Sequence, residues 1–408
     1  MGNNLNCFSG KSDDQDLFRD PANLTPSRAA VIIQNEYRRG KASQTFQNKI
    51  IDNIKSHLSK NENSPPSIDI ITIEEFQDKL NTFPEANALI EKYSKSFDAT
   101  AFCSSEVCYK LMPLKFTHID KDKEDEYYYG EWNINGITSG QGTLITSNGN
   151  IYKGNFLSGM FNGIGLFIHS NGDYYFGDWV NNECNGKGSL IIKDVLQYDG
   201  DFVNNCRHGH GIEKYPDKSY YEGDFVQNEK EGKGKNVYPD GSYYIGDFKK
   251  SLYNGEGEYY WNDGRVYKGG FVKGAMEGKA IHKWGDGSWF SGYYVNNKKQ
   301  GEGVYVWPNG KKVVGTWVNN EPNGNGYCII GDKKYDIVFR FGKVIASRSI
   351  QSEDNENNNN NSTGKEPSIK NDKKDDEQEQ IKQLGNMEFN EEMPVKTNIT
   401  QTAEDKIN

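Results

Sequence analysis

The sequence predicts a mainly β fold: an elongated, twisted antiparallel sheet of stacked β-hairpins, preceded by an α-helical segment and followed by a disordered tail. Three observations carry that expectation. Glycine occurs 44 times and tyrosine 25 times, so many backbone positions need positive φ or close approach. The hydrophobic fraction is only 34% while aromatics reach 13%, so the core is built from rings rather than from Leu, Ile and Val. An aromatic-x-Gly triplet also returns at a fixed interval, the mark of a repeat architecture.

The triplets run Tyr128–Gly130, Tyr152–Gly154, Tyr175–Gly177, Tyr198–Gly200, Tyr221–Gly223, Tyr244–Gly246, Tyr267–Gly269 and Phe290–Gly292, and a ninth copy begins at Val313. The interval is 23 residues, except for 24 between the first two. A second signature, Gly-x-Gly, keeps step from Gly140 through Gly163, Gly186, Gly209, Gly232, Gly255, Gly278 and Gly301 to Gly324, with Ala280 closing the seventh copy. Each repeat reads as a hairpin. Tyr221, Gly223 and Phe225 share one face of a strand, and Glu222 and Asp224 point the other way, to water. The glycine between the rings lets a ring or a neighbouring backbone approach closely. Asn148-Gly149, Asn171-Gly172, Asp240-Gly241, Asp263-Gly264, Asp286-Gly287 and Asn309-Gly310 suit type I′ turns. The third and fourth repeats have Asp194-Val195 and Asp217-Lys218 there, so their turns are expected to differ. A single hairpin cannot bury its aromatic face, whereas stacked neighbours can.

Tyr-x-Gly-[Asp/Glu]-[Trp/Phe], followed by Gly-x-Gly at a 23-residue period, resembles the MORN-repeat family (membrane occupation and recognition nexus). The match covers Tyr128 to about Arg340. It departs at Tyr293 for the acidic residue, Ala280 for a glycine and Val313 for the tyrosine. The resemblance implies a non-enzymatic scaffold or membrane tether, with links to phospholipid contact, to ciliary and cortical structures and to dimerisation. After the repeats, over 128–341, Tyr335 to Phe341 reads as a strand capping the last hairpin. Residues 346–408 carry 8 basic and 14 acidic side chains and an asparagine run at 357–361, the composition of a disordered tail.

Upstream, residues 1–25 read as a flexible start. Gly2 after Met1 fits N-myristoylation, although Asn6 stands where Ser or Thr is preferred. Cys7 is near enough for palmitoylation, and two acyl chains anchor stably where one binds only marginally. Residues 26–60 read as a basic amphipathic helix. Thr25 serves as cap and Pro26 as first residue, and Ile33, Tyr37, Ile50, Ile54 and Leu58 recur near helical spacing. Seven Lys/Arg stand against Glu36 and Asp52, which suits a calmodulin-type partner or a membrane surface. Ile33-Gln34 with Arg38 resembles an IQ motif. By that resemblance, Ile33 fills a hydrophobic pocket of a calmodulin-like lobe, Gln34 bonds its backbone and Arg38 pairs with acidic groups. Phe46 takes the downstream apolar position, while Arg39 replaces the usual glycine and Ser43 the second basic residue. Residues 61–120 read as a small helical module capping the repeats. Thr72 to Glu75 form a capping box, Phe76, Leu80 and Phe83 an apolar face, and Pro84 opens a second helix with Leu89, Ile90 and Tyr93 as packing residues.

A net charge of −10 does not favour nucleic acid. Six cysteines without a CxxC pair read as reduced thiols in a cytoplasmic protein, and no apolar run approaches the roughly 18 residues that span a bilayer. Gly186–Ser189 lacks the spacing of a phosphate loop. Cys206, His208 and His210 would make at best a weak metal site and read better as loop residues. No catalytic residues, metal or cofactor are expected. Tyr128 to Arg340 holds 23 basic and 24 acidic residues, so anionic lipid is not strongly attracted. Local clusters such as Lys298-Lys299 with Lys311-Lys312 read as solvated. The expected function is a scaffold that organises protein partners, calmodulin-like and cytoskeletal, at the cytoplasmic face of a membrane, the cortex or a cilium. The alternatives are a phosphoinositide-contacting regulatory subunit of a lipid-modifying enzyme and a purely axonemal component.

Overall fold

Tyr244, Gly246 and Phe248 alternate with exposed or half-buried neighbours along strand Tyr243–Lys249 and are themselves buried, the period of two that the sequence requires. The strand pairs with Leu252–Tyr260, Tyr244 opposite Tyr259 and Gly246 opposite Gly257. The register slips between Gly246 and Phe248: Gly255, at φ 109°, forms a bulge. The next hairpin pairs Gly257 with Gly269. All assigned pairings are antiparallel, and the fold is mainly β, as expected. The computed structural model describes residues 44–61, 65–97, 109–110, 112–118, 124–350 and 389.

Turn chemistry is where sequence and structure part. Within the Tyr244 repeat the two-residue loop is Lys250-Ser251, with φ of 51° and 62°, and Lys249 pairs with Leu252 across it. Asn181-Asn182, Asn204-Asn205, Asn296-Asn297 and Asn319-Asn320 do the same. These are the type I′ turns. At the Asn-Gly and Asp-Gly dipeptides only the glycine has positive φ. Gly264 N–H donates to Trp261 O at 3.2 Å and Trp261 N–H to Arg265 O at 3.0 Å, closing a three-residue loop that ends in a left-handed residue. The fourth repeat keeps this loop, with Lys218 at φ 72° in the glycine's place. In the third, the positive φ moves one residue earlier, to Asp194.

The described residues form two compact units, one up to Lys218 together with Asp224–Glu229, the other Ser219–Gly223 together with the residues from Lys230 onward. In the first, helix α1 (Gln44–Asn61) buries Ile50, Ile54 and Leu58, and Asn53 Nδ2 donates to Ile134 O at 2.9 Å. Helix α2 (Ile73–Asn81) starts on the expected capping box: Thr72 Oγ1 accepts from Glu75 N, and the Glu75 carboxylate from Thr72 N. Helix α3 (Pro84–Tyr93) has proline in its first turn. Phe76, Leu80 and Ile90 pack on Ile145, Ile151, Leu166 and Ile168, so these helices cover the face of the first three repeats opposite Tyr128, Tyr152 and Tyr175. Residues 61–120 are not wholly helical. Strands β1 (Ser67–Ile70), β2 (Tyr109–Lys110) and β3 (Leu114–Thr117) continue the sheet; β1 pairs with β3, and β2 and β3 pair with Glu126–Trp132.

In the second unit the repeats are followed by a hairpin, Lys333–Arg340 and Lys343–Ile350, rather than by a single cap strand. Tyr335, Ile337 and Phe339 are buried against Val313 and Cys328. Ala346 to Ile350, read from composition as tail, belong to this last strand because they pair with Lys334 to Val338.

Candidate binding face

One face of the hairpins is made of rings laid over glycines. The Tyr244 hydroxyl donates to Asp247 O at 2.9 Å, and its ring lies on Gly246 and Gly257: a Cβ at Gly257 would stand 2.3 Å from the hydroxyl oxygen. Phe248 and Phe271 meet the ring edge-on, each at 5.2 Å. Above it sits a residue from the returning strand, Tyr253, stacked at 3.8 Å. The equivalent position varies between repeats. Phe161 stacks on Tyr152 at 3.6 Å, Lys230 lies 4.8 Å from Tyr221, and Lys299 lies 5.6 Å from Phe290. The motif therefore fixes a floor of rings, and this position sets the chemistry above it.

In the second unit a run of rings crosses successive repeats. Tyr259 lies 4.5 Å from Trp261, Trp261 stacks on His282 at 5.3 Å, and His282 stacks on Trp284 at 4.3 Å. Trp284 then meets Tyr305 at 5.5 Å and Tyr305 meets Trp307 at 4.7 Å. Cations border the run: Arg265 at 4.8 Å from Trp261, Lys299 at 4.7 Å from Trp284 and Lys311 at 5.2 Å from Trp307. Such contacts contribute about 0.5–2 kcal/mol each. Burial lowers the pKa of Lys311 from its ordinary value and pushes the Cys328 thiol up to about 11. The run closes on Phe389, whose ring lies 5.3 Å from Tyr305, 5.3 Å from Trp307 and 5.1 Å from Trp317.

Where an acidic residue follows aromatic-x-Gly, as at Glu131, Asp178 and Asp247, it has a local task. Asp247 Oδ2 accepts from Glu256 N at 3.0 Å, Asp178 from Lys187 N at 2.9 Å and Glu131 from Gln141 N at 2.8 Å. Each bonds a backbone N–H turned out by the Gly-x-Gly bulge. In the shallow cleft lined by Phe97, Glu131, Gln141 and Lys153, Glu131 is thus engaged, and the Gln141 amide donates to Phe97 O. In the first unit the binding-face position above Tyr198 holds Arg207, paired with Glu213 at 2.8 Å, and both are buried.

Gly2, Cys7, Ile33, Gln34 and Arg38 lie outside the described residues, and Phe46 lies within α1. Cys206, His208 and His210 stand on strand Cys206–Lys214 rather than in a loop, because the returning strand starts directly after Asn204-Asn205. His210 Nδ1 is 3.2 Å from Asp224 Oδ1. Among the described residues no three His, Cys, Asp or Glu gather as a metal requires, and no described helix is long and apolar enough to cross a membrane. Lys299 is not solvated: it is fully buried among Trp284, Phe290, Tyr305 and Trp317. Reading by aromatic-x-Gly missed the ring run. Its signal was present: Tyr238, Trp261, Trp284 and Trp307 are 23 residues apart.

Ring-over-glycine hairpins joined by a two-residue left-handed turn and a three-residue loop define a hairpin-repeat protein. The MORN repeat model matches nine segments, 128–151, 152–174, 175–194, 198–220, 221–243, 244–264, 267–289, 290–312 and 314–333. The chain belongs to the MORN-repeat family. No curated protein matches it. Among solved structures, it is similar to the SAS-4 (dCPAP) TCP domain of Drosophila melanogaster, in complex with a proline-rich motif of Ana2 (dSTIL). The identity is 14%, over 54% of this chain and 96% of that one, with a TM-score of 0.23. It is also similar to a point mutant of the TCP10 domain of Danio rerio CPAP, at 14% identity, over 51% of this chain and 99% of that one, with a TM-score of 0.19. TM-scores this low carry no functional argument.

Proposed function

We propose that the chain is a non-enzymatic adaptor whose MORN repeats receive protein partners on the run of rings and cations from Tyr259 to Trp307. One observation carries this reading: five successive ring contacts between 4.3 and 5.5 Å cross the repeats as a buried floor that holds Arg265 and Lys299, with Trp307 and Lys311 half-buried at its end. Aromatic side chains and arginine are the groups that anchor protein interfaces. Glu131 and Gln141 of the first-unit cleft, by contrast, are taken up in holding backbone. Proximity labelling in the native cell tests the reading. The Trp261→Ala/Trp284→Ala chain should lose partners that the wild type labels, whereas Ile245→Ala, on the opposite face, should keep them. Identical partner sets for all three would end it.

The IQ-like segment adds recruitment of a calmodulin-like protein through Ile33, Gln34, Arg38 and Phe46. Acyl chains on Gly2 and Cys7 add a hold on the cytoplasmic face of a membrane, at the cortex or in a cilium. Titration of the full chain with calmodulin should show weaker binding for Ile33→Asp and Arg38→Ala; equal affinities dismiss the motif. The mass of the N-terminal peptide decides the acyl chains, and an unmodified Gly2 removes the anchor.

A further inference from the structure

We infer that Tyr305, Trp307 and Trp317 form a receptor pocket for an acidic peptide carrying a single aromatic ring, and that the chain's own Phe389 fills it in cis. The inference rests on the binding face proposed above and names its resident ligand. Phe389 meets Tyr305 at 83° and Trp317 at 87°, the edge-to-face arrangement that the ring quadrupole favours. It is the one aromatic side chain between residues 346 and 408, so the tail has no second ring to offer. Glu388, Glu391 and Glu392 flank it in sequence. Lys311, half-buried at 5.2 Å from Trp307, supplies the opposite charge at the pocket's border, and Lys299 is buried 5.6 Å from Trp317 and 5.7 Å from Tyr305.

From Ile350, where the last described strand ends, to Phe389 is 39 residues (389 − 350). Random-coil dimensions at that length average about 35 Å end to end, and tethering at such lengths gives an effective concentration on the order of 1 mM. One ring with a few charges, binding at about 100 μM as a free peptide, would then occupy its pocket about nine-tenths of the time. A competing peptide would see its affinity reduced about tenfold. The tail thus sets a threshold: only a partner segment with a better ring, or more acid around it, displaces Phe389.

The test uses the full chain and a fluorescein-labelled peptide copying residues 383–396, read by anisotropy. Phe389→Ala should bind the peptide about tenfold more tightly than the wild type does. Trp307→Ala or Lys311→Glu, added to Phe389→Ala, should weaken it again, and a peptide with alanine in place of phenylalanine should not bind. Equal affinity of wild type and Phe389→Ala overturns occupancy in cis, as does a wild-type dimer in sedimentation that dissociates on Phe389→Ala. Peptide binding indifferent to Trp307→Ala overturns the pocket. Peptide binding as expected with unchanged partner labelling in the Trp261→Ala/Trp284→Ala chain would sink the adaptor reading and leave this inference standing. The reverse result would sink this inference alone.

Discussion

Met276 and Asn297 exchange two hydrogen bonds. Met276 N–H donates to Asn297 Oδ1 at 2.7 Å, and Asn297 N–H donates to Met276 O at 3.0 Å. The same 21-residue stitch joins Phe161 to Asn182, Cys184 to Asn205, Arg207 to Asn228 and Lys299 to Asn320. Asparagine suits both demands, since it tolerates left-handed backbone and its side chain accepts a hydrogen bond.

Asn297→Ala should therefore cost about 2–3 kcal/mol, combining a left-handed alanine at φ 66° with a lost hydrogen bond. Asn297→Gly should cost only about 1 kcal/mol, because the backbone penalty disappears. Guanidinium midpoints of the two variants separate the contributions.

Glycines at one repeat position should differ in tolerance. A Cβ at Gly154 would lie 2.5 Å from Gly165 Cα and 2.7 Å from the Tyr152 hydroxyl. At Gly315, where Val313 replaces the tyrosine, the nearest atom is 3.5 Å away. Gly154→Ala should destabilise by about 1–3 kcal/mol as overpacking, and Gly315→Ala should shift the unfolding midpoint little. Equal losses would mean that the ring is not the cause.

Arg207 and Glu213 are a buried pair, and Arg207 also donates to Asn228 O at 3.2 Å. Glu213→Ala should cost about 3–5 kcal/mol, because it leaves a buried charge. Arg207→Met/Glu213→Leu together should recover most of it. The double-mutant cycle, read by thermal unfolding, measures the coupling.

Burial pushes Tyr238 up to about 12, partly offset by its hydroxyl contact with Tyr253, and burial likewise pushes Tyr174 to about 12. Unfolded tyrosine ionises near 10. The folded state thus holds these protons longer, and the stability this brings is complete below pH 10 and lost as pH rises from 10 to about 12. Absorbance at 295 nm should show these phenols titrating late, and the thermal midpoint should fall across that window, less steeply in Tyr238→Phe.

The period, the buried Tyr-Gly-Phe face and the Thr72 capping box were legible because each is a local pattern with one geometric solution. The turns were not: Asn-Gly and Asp-Gly serve a two-residue hairpin as well as a three-residue loop, and strand register decides between them. Alternation alone sends Asp247 to water; the bulge at Gly255 turns the Glu256 N–H toward its carboxylate. The candidate binding face was legible only in part. Its floor follows the motif, whereas Tyr253, Lys299 and His282 sit where the motif is silent. Phe389 reaches its pocket through contacts far apart in sequence, which no periodicity encodes.

The 21-residue stitch ties each hairpin only to the next, so the array's length is quantised. Excising residues 244–266, one whole period, would let Tyr221's repeat meet Tyr267's with every asparagine still facing its partner. Removing one residue fewer would leave an odd remainder and turn each following ring to the opposite side. Such a gene grows or shrinks by whole hairpins, and each added copy brings a fresh position above the ring floor for new specificity.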